Sequence, residues 1–427
     1  MSGIILIILL LTLIAFRVPI AVSLGIASIV VLLSFTTNDV LSLAVGFQHT
    51  INIIPLLSLP FFVLAANFMT TGGVARRLIN LANALVGRFR GGLAMATLLA
   101  CALFSAVSGS APATVIAVGS VMIGGMVTSG YKREFAAGVV CNAGTLGILI
   151  PPSLVMVIYG AVTETSIGNL FMAGIVPGIV LTFALMIVIA VIAKIQDLPR
   201  QEAVPLKETI YLIFDAFPGL FTLVIILGGI YAGIFSPTEA AAFAAVYAFI
   251  ISVFYYKDMK LNQVKGVLVD SARITAMLMF IIAGAYLFKT VITYESIPQE
   301  AAEWIVNLGL PAWGFLIAMN ILLLIAGNFM EPTSVVLVLT PLLFPIALEL
   351  GIDPIHLGVV MVLNMQIGLV SPPVGLNLFV TSSVSGLSLE KVIKSSLPWL
   401  LVLLFVLILI TYIPWFSLAL PRALGLM

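Results

Sequence analysis

The chain has 427 residues, of which 62% are hydrophobic and 8% charged, with a mean hydropathy of +1.27 and a formal net charge of +1. A soluble domain carries about a quarter charged residues, so most of this surface faces lipid, and the length suits about a dozen membrane spans better than two or three soluble domains. The balanced charge leaves no polybasic face for nucleic acid, and Cys101 and Cys141 lie in apolar stretches, where they read as small buried hydrophobes rather than a disulfide or a metal pair.

The first apolar run, Ser2 to Phe16, has no basic residue before Arg17, so it reads as a retained span and not a cleaved leader. Spans follow near 18–35 and 52–72. A long apolar stretch, 91–129, is interrupted from Ser108 to Ala113, and spans near 135–163 and 168–193 complete a first half, 1–194. In the polar joint 195–217, Leu206, Ile210, Ile213, Phe214 and Phe217 fall at helical spacing and predict an amphipathic helix on the cytoplasmic membrane surface. The second half, 218–427, offers the same series: 218–235, 237–256, 268–290, an interrupted stretch 312–348, then 355–384 and 397–418.

The two halves are copies of one plan. Gly147-Ile-Leu-Ile-Pro151-Pro152 recurs as Gly368-Leu-Val-Ser-Pro372-Pro373, an offset of 221 that also carries Gly130 onto Gly351 and Pro177 onto Pro398. Ser110-Ala-Pro112-Ala-Thr114 matches Met330-Glu-Pro332-Thr-Ser334 at an offset of 220, and Phe16-Arg-Val-Pro19 faces Phe235-Ser-Pro237. Each interrupted stretch leaves about 15 residues on either side of its break, roughly 22 Å of helix, too short for a hydrocarbon core of about 30 Å. Both predict re-entrant hairpins with tips near the midplane. With Arg76, Arg77, Arg88 and Arg90 placed in the cytoplasm, all but Lys289 and Arg422 of the 18 Lys and Arg fall inside, and the N-terminus falls in the periplasm. The second hairpin then enters from the other side, so the repeats are inverted, an arrangement found in secondary transporters.

Chemistry concentrates at the breaks. Proline removes an N–H and clashes with the carbonyl four residues earlier, so Pro151 and Pro152 free the carbonyls of Gly147 and Ile148, and Pro372 and Pro373 those of Gly368 and Leu369. Such carbonyls either meet a cation or cavity or are satisfied by neighbouring helices. The tips add Ser105, Ser108, Gly109, Ser110 and Thr114 in one half, and Gly327, Asn328, Glu331, Thr333 and Ser334 in the other. Together they form a hard-oxygen set suited to alkali cations, with the outgoing half-helix of each hairpin presenting its positive end to a carboxylate. Glu331 is an intramembrane carboxylate that either takes a proton or caps its helix. Asn142, Thr145, Asn364 and Gln366 flank the double prolines and either touch substrate or hydrogen-bond across helices. Lys289 and Arg273 read as snorkelling residues near span ends, and His49 and His356 carry little signal. No G-x-x-x-x-G-K-[ST] loop, haem-ligand set or protease constellation is present, which removes an ATP-driven pump, an electron carrier and a membrane enzyme, though not a channel.

Gly72-Gly73-Val-Ala-Arg76-Arg77, Arg90-Gly91-Gly92-Leu-Ala, the Ser105 to Thr114 tip and Gly144-Thr145-Leu-Gly147-Ile-Leu-Ile-Pro151-Pro152-Ser153 together resemble the large membrane subunit of tripartite ATP-independent periplasmic (TRAP) transporters, over essentially the whole chain. The resemblance implies an all-α polytopic protein of the bacterial inner membrane, with a scaffold and an elevator-type transport domain built from the hairpins and broken helices. It implies a sodium-coupled symporter fed by a periplasmic binding protein and completed by a separate four-helix small subunit. Two sodium sites follow from it: Ser108, Gly147, Ile150 and Pro152 at the first corner, and Gly327, Gly368, Val370 and Pro373 at the second. Ser110, Thr114, Asn142, Thr145, Asn328, Glu331, Thr333, Ser334, Asn364 and Gln366 are the candidates for an organic acid. The absence of a midplane arginine favours sialic acid slightly; a C4-dicarboxylate or other carboxylate, or a proton-coupled carrier or channel, is the alternative.

Overall fold

A computed structural model describes residues 2–16, 18–35, 54–297, 299–300, 303, 309 and 311–426; His49 and Arg17 lie outside them. All secondary structure among the described residues is helical. Among the described residues eight helices are long and apolar enough to cross a membrane, or nine if one bent pair is counted as a span, and they belong to a larger set of eighteen α-helices. The first half has α1 (Ser2–Ala15), α2 (Ile20–Phe35), α3 (Ser58–Thr71), α4 (Val74–Val86), α5 (Gly92–Ser108), α6 (Ala111–Thr128), α7 (Arg133–Ala143), α8 (Leu154–Thr163) and α9 (Ile167–Ile195). The second half has α10 (Leu206–Tyr231), α11 (Pro237–Tyr255), α12 (Leu261–Tyr294), α13 (Ala312–Phe329), α14 (Pro332–Glu349), α15 (Pro354–Gly368), α16 (Leu376–Ser385), α17 (Leu389–Tyr412) and α18 (Trp415–Ala423).

Packing follows the repeat. Helix α2 lies on α12 while α3 lies on α11, and α7 lies on α17 while α15 lies on α9, each pair being the image of the other under the half-chain offset. Local chemistry sets the helix starts. Ser236 caps α11 in a capping box with Glu239, and Asp353 caps α15 by accepting from Ile355 N–H at 2.8 Å and His356 N–H at 3.2 Å, with Pro354 in the first turn.

Both interrupted stretches form hairpins, α5–α6 and α13–α14, but the breaks are narrower than the sequence suggests. Only Gly109 and Ser110 separate the first pair of arms, which are 17 and 18 residues long; the second pair are 18 residues each. At 1.5 Å per residue the arms reach roughly 26 Å, longer than the sequence suggests, and three of the four are among the helices long enough to cross. Proline at the second position of α6 and the first of α14 suits a helix start, where its missing N–H costs nothing.

Three further features differ from the sequence reading. The joint and the following span are a single helix, α10, because Pro218 is absorbed within it and no glycine or cap stops it at 217. Helix α12 runs 34 residues, well beyond 268–290. Before the first hairpin a surface helix, α4, turns 66° away from the Pro55–Thr71 segment. Its Arg77 pairs with Asp215 (3.2 Å) and with Asp258, lies 3.6 Å from the centre of the Tyr256 ring, and is joined on Asp258 by Arg76 (3.1 Å). Those arginines therefore bind α4 to α10 and to the turn after α11.

Candidate functional site

The double prolines fall at the breaks between α7 and α8 and between α15 and α16, and both Pro–Pro peptides are cis. Most of the carbonyls they free are met from within. Ile148 O accepts the Ser153 hydroxyl at 2.5 Å, and Ser153 also caps α8 by accepting Met156 N–H. Leu369 O accepts Asn377 N–H at 3.0 Å, and Gly368 O accepts Ser371 N–H at 3.3 Å. The carbonyl of Gly147 receives no hydrogen bond among the described residues, although Gly147 is buried. Of four freed carbonyls, then, one is left for a ligand.

Each hairpin tip presses its backbone onto the opposing break. Gly109 adopts φ +61°, and a Cβ there would lie 2.6 Å from Pro152 O; a Cβ on Gly147 would lie 2.6 Å from Ser110 C and O. Ser108, Gly147 and Pro152 are thus gathered at the first corner, with Ser108 Oγ 3.1 Å from Thr114 Oγ1, which donates to Ser110 O at 2.9 Å. Ile150, predicted to join them, turns its side chain toward Gly178 of α9. At the second corner Gly327 and Gly368 meet backbone to backbone: a Cβ on Gly368 would lie 2.8 Å from Gly327 Cα, C and O. Val370 is buried beside them, whereas Pro373 is exposed where its counterpart Pro152 is buried. The corners share a plan and differ in donors, burial and carbonyl supply.

Between the tips lies a cleft of about 590 Å³, open solvent included. Ser110, Pro112, Glu331 and Thr333 reach it from the two tips, and Leu154 and Leu376 from the helices after the breaks. Glu331 Oε1 accepts the hydroxyls of Thr333 (2.7 Å) and Ser334 (3.4 Å) and makes no bond to the backbone of α14, so it organises the tip through side chains rather than as a helix cap. Asn328 is half-buried, with Oδ1 unpartnered.

The four polar candidates beside the prolines sit outside this cleft, in the packed interior. Asn142 donates to Gly138 O and Ser396 Oγ, Asn364 to Asn320 Oδ1 and Val360 O, and Gln366 Nε2 to Thr145 Oγ1 at 2.8 Å. Thr145 and Gln366 are 221 residues apart, so this bond joins a position to its own image in the other repeat. Their placement matches the bonding of helix to helix. Sequence reasoning missed Ser153 and Asn377, which satisfy the proline-freed carbonyls; Ser153 carried the helix-start signal of a serine before an apolar run, while Asn377 carried none. It also passed over His356, which is buried and bonded to Thr411 O (3.2 Å) and Ser417 Oγ (2.7 Å), tying α15 to the end of α17 and to α18.

Residues 7–416 match the family described as "Tripartite ATP-independent periplasmic transporter, DctM component". The chain is 58% identical over 404 residues to the C4-dicarboxylate TRAP transporter large permease protein DctM of Pseudomonas aeruginosa, covering 95% of each. It is 36% identical over 367 residues to the sialic acid TRAP transporter large permease protein SiaM of Vibrio cholerae, covering 86% of each. Among solved structures, the Alcanivorax borkumensis YdaH transporter superposes with a TM-score of 0.62 at 15% identity, covering 89% of this chain and 88% of that one, a likeness of fold alone.

Proposed function

The chain belongs to the tripartite ATP-independent periplasmic transporters as a DctM component, a multi-pass transporter subunit and not an enzyme, and from that premise we propose that it imports a C4-dicarboxylate across the inner membrane, driven by sodium. The observation that carries this is the cleft between the two tips. It is flanked by the starts of α6 and α14, whose positive ends suit a carboxylate, and by two corners rich in oxygen. The order of identities among the relatives supports a dicarboxylate over the sialic acid favoured by the sequence. The first corner, with Ser108, Pro152 and the unpartnered Gly147 carbonyl, is the stronger sodium site; the second, at Gly327 and Gly368, competes with an existing N–H···O bond. The transporter works with a periplasmic binding protein and a small membrane subunit, and its N-terminus faces the periplasm.

The test is labelled succinate uptake into proteoliposomes holding this chain, its small subunit and the binding protein, with and without an inward sodium gradient. Uptake that needs both the gradient and the binding protein is expected. Uptake indifferent to both would overturn the reading in favour of a channel, and uptake of N-acetylneuraminate with none of succinate would restore the sialic acid assignment.

A further inference from the structure

Two further cavities lie between helices that also wall the cleft between the tips. The second, of about 750 Å³, and the third, of about 570 Å³, open solvent included, share Val162, Glu164, Lys289 and Pro341 and are bounded by the same three helices as the cleft. Helix α12 forms one wall throughout: Ile274, Met277 and Leu278 face the first cavity, Ile282 and Lys289 the second, Lys289 and Thr293 the third. The spacing is that of one helix face. Helix α8 gives Leu154 to the first and Val162 to the others, and α14 gives Thr333, then Leu337, then Phe344. From Ile274 to Thr293 the face extends about 28 Å, much of a hydrocarbon core.

Along that face stands one cation, Lys289. Its ammonium donates to Val162 O at 3.3 Å, a carbonyl in the last turn of α8, where carbonyls lack helix partners and the helix end is negative. An ammonium has three N–H donors, and no other bond or ion pair of Lys289 exists among the described residues. Glu164 lines the same two cavities without pairing to it. A carboxylate moving along that face meets Glu164 as a repulsion and, among the described lining residues, Lys289 as its opposite charge.

We propose that Lys289 is an outer anion site, where a carboxylate of the substrate is held before it reaches the cleft between the tips. The inference rests on the transport reading above for the identity of the anion, and on the charge distribution for placing this end in the periplasm. Two N–H groups of the ammonium take the carboxylate while the third keeps Val162, so the wall between α12 and α8 stays closed during capture.

The test has two readouts on the complete transporter with its small subunit and binding protein. In proteoliposomes, Lys289→Gln is expected to raise the KM for succinate about ten-fold or more with Vmax little changed, the scale of one charge-assisted hydrogen bond. Lys289→Arg should restore it and Glu164→Gln should lower it. Separately, acylation of Lys289 by a membrane-impermeant amine reagent, followed by peptide mass spectrometry, is expected to slow in succinate relative to chloride of equal ionic strength. An acylation rate unchanged by succinate, N-acetylneuraminate and acetate alike would overturn the inference, as would a wild-type KM in Lys289→Gln. A wild-type transporter that imports none of these acids would instead overturn the functional reading, and the acylation result would still decide whether Lys289 holds a carboxylate.

Discussion

At Gly368 two backbones approach so closely that any side chain would have to displace main chain rather than a yielding side-chain tip. Gly368→Ala is therefore expected to destabilise the protein by about 1–3 kcal/mol, as overpacking of a well-filled interior does, and to abolish uptake. Gly124→Ala, with open space around its Cβ position, should leave both unchanged in a detergent melt and an uptake assay. Ser153→Ala strips the donor from Ile148 O and is expected to cost about 1–3 kcal/mol, the range for a buried acceptor left unsatisfied, whereas Ser153→Thr should melt like wild type. Gly147 and Gly368 were legible because each stands four residues before a proline. Lys289 was not, because its partner Val162 lies 127 residues away and no local pattern joins them.

Among the helices, the hairpins and broken helices could be located because glycine, proline and fixed offsets mark them in both halves. What escaped was continuity and direction. Pro218 looks like a boundary but sits inside α10, and α4 hides beside α3 because the Gly72-Gly73 bend separates two apolar helices without a polar loop. The bond between α4 and its neighbours is ionic: the side chain of Arg77 is only 12% exposed and is shared between Asp215 and Asp258. Removing one partner of such a set leaves a poorly solvated charge. Asp258→Ala should therefore loosen α4 selectively, raising amide hydrogen exchange over 74–86 while exchange in α15 stays at the wild-type level. Uniform exchange across both helices would contradict that local role.

For the molecule as a whole, the half-chain offset carried the pairing of helices, and composition carried the membrane. The coupling ion is where they fall silent, because sodium and a proton both suit a tip built from hydroxyls and one carboxylate. Glu331→Gln keeps the shape of that carboxylate and removes its titration. In a sodium-driven carrier, uptake should keep its sodium dependence and lose affinity only modestly; if uptake driven by a pH gradient in sodium-free buffer were present in wild type and lost in the variant, the coupling ion would be a proton.

The hydrogen bond from Gln366 to Thr145 joins one position to its counterpart across the axis that relates the halves. It lies in the interior and ties the break of the first repeat to that of the second. A displacement that carried one break through the membrane and left the other behind would have to tear this bond in a dry interior. Under an elevator reading, the unit that travels would therefore be drawn half from each repeat, and the helices left standing would likewise be a mixture. The chain repeats in two consecutive parts that are bonded to each other at their breaks, so severing it between 195 and 205 would divide the repeats without separating what they hold together.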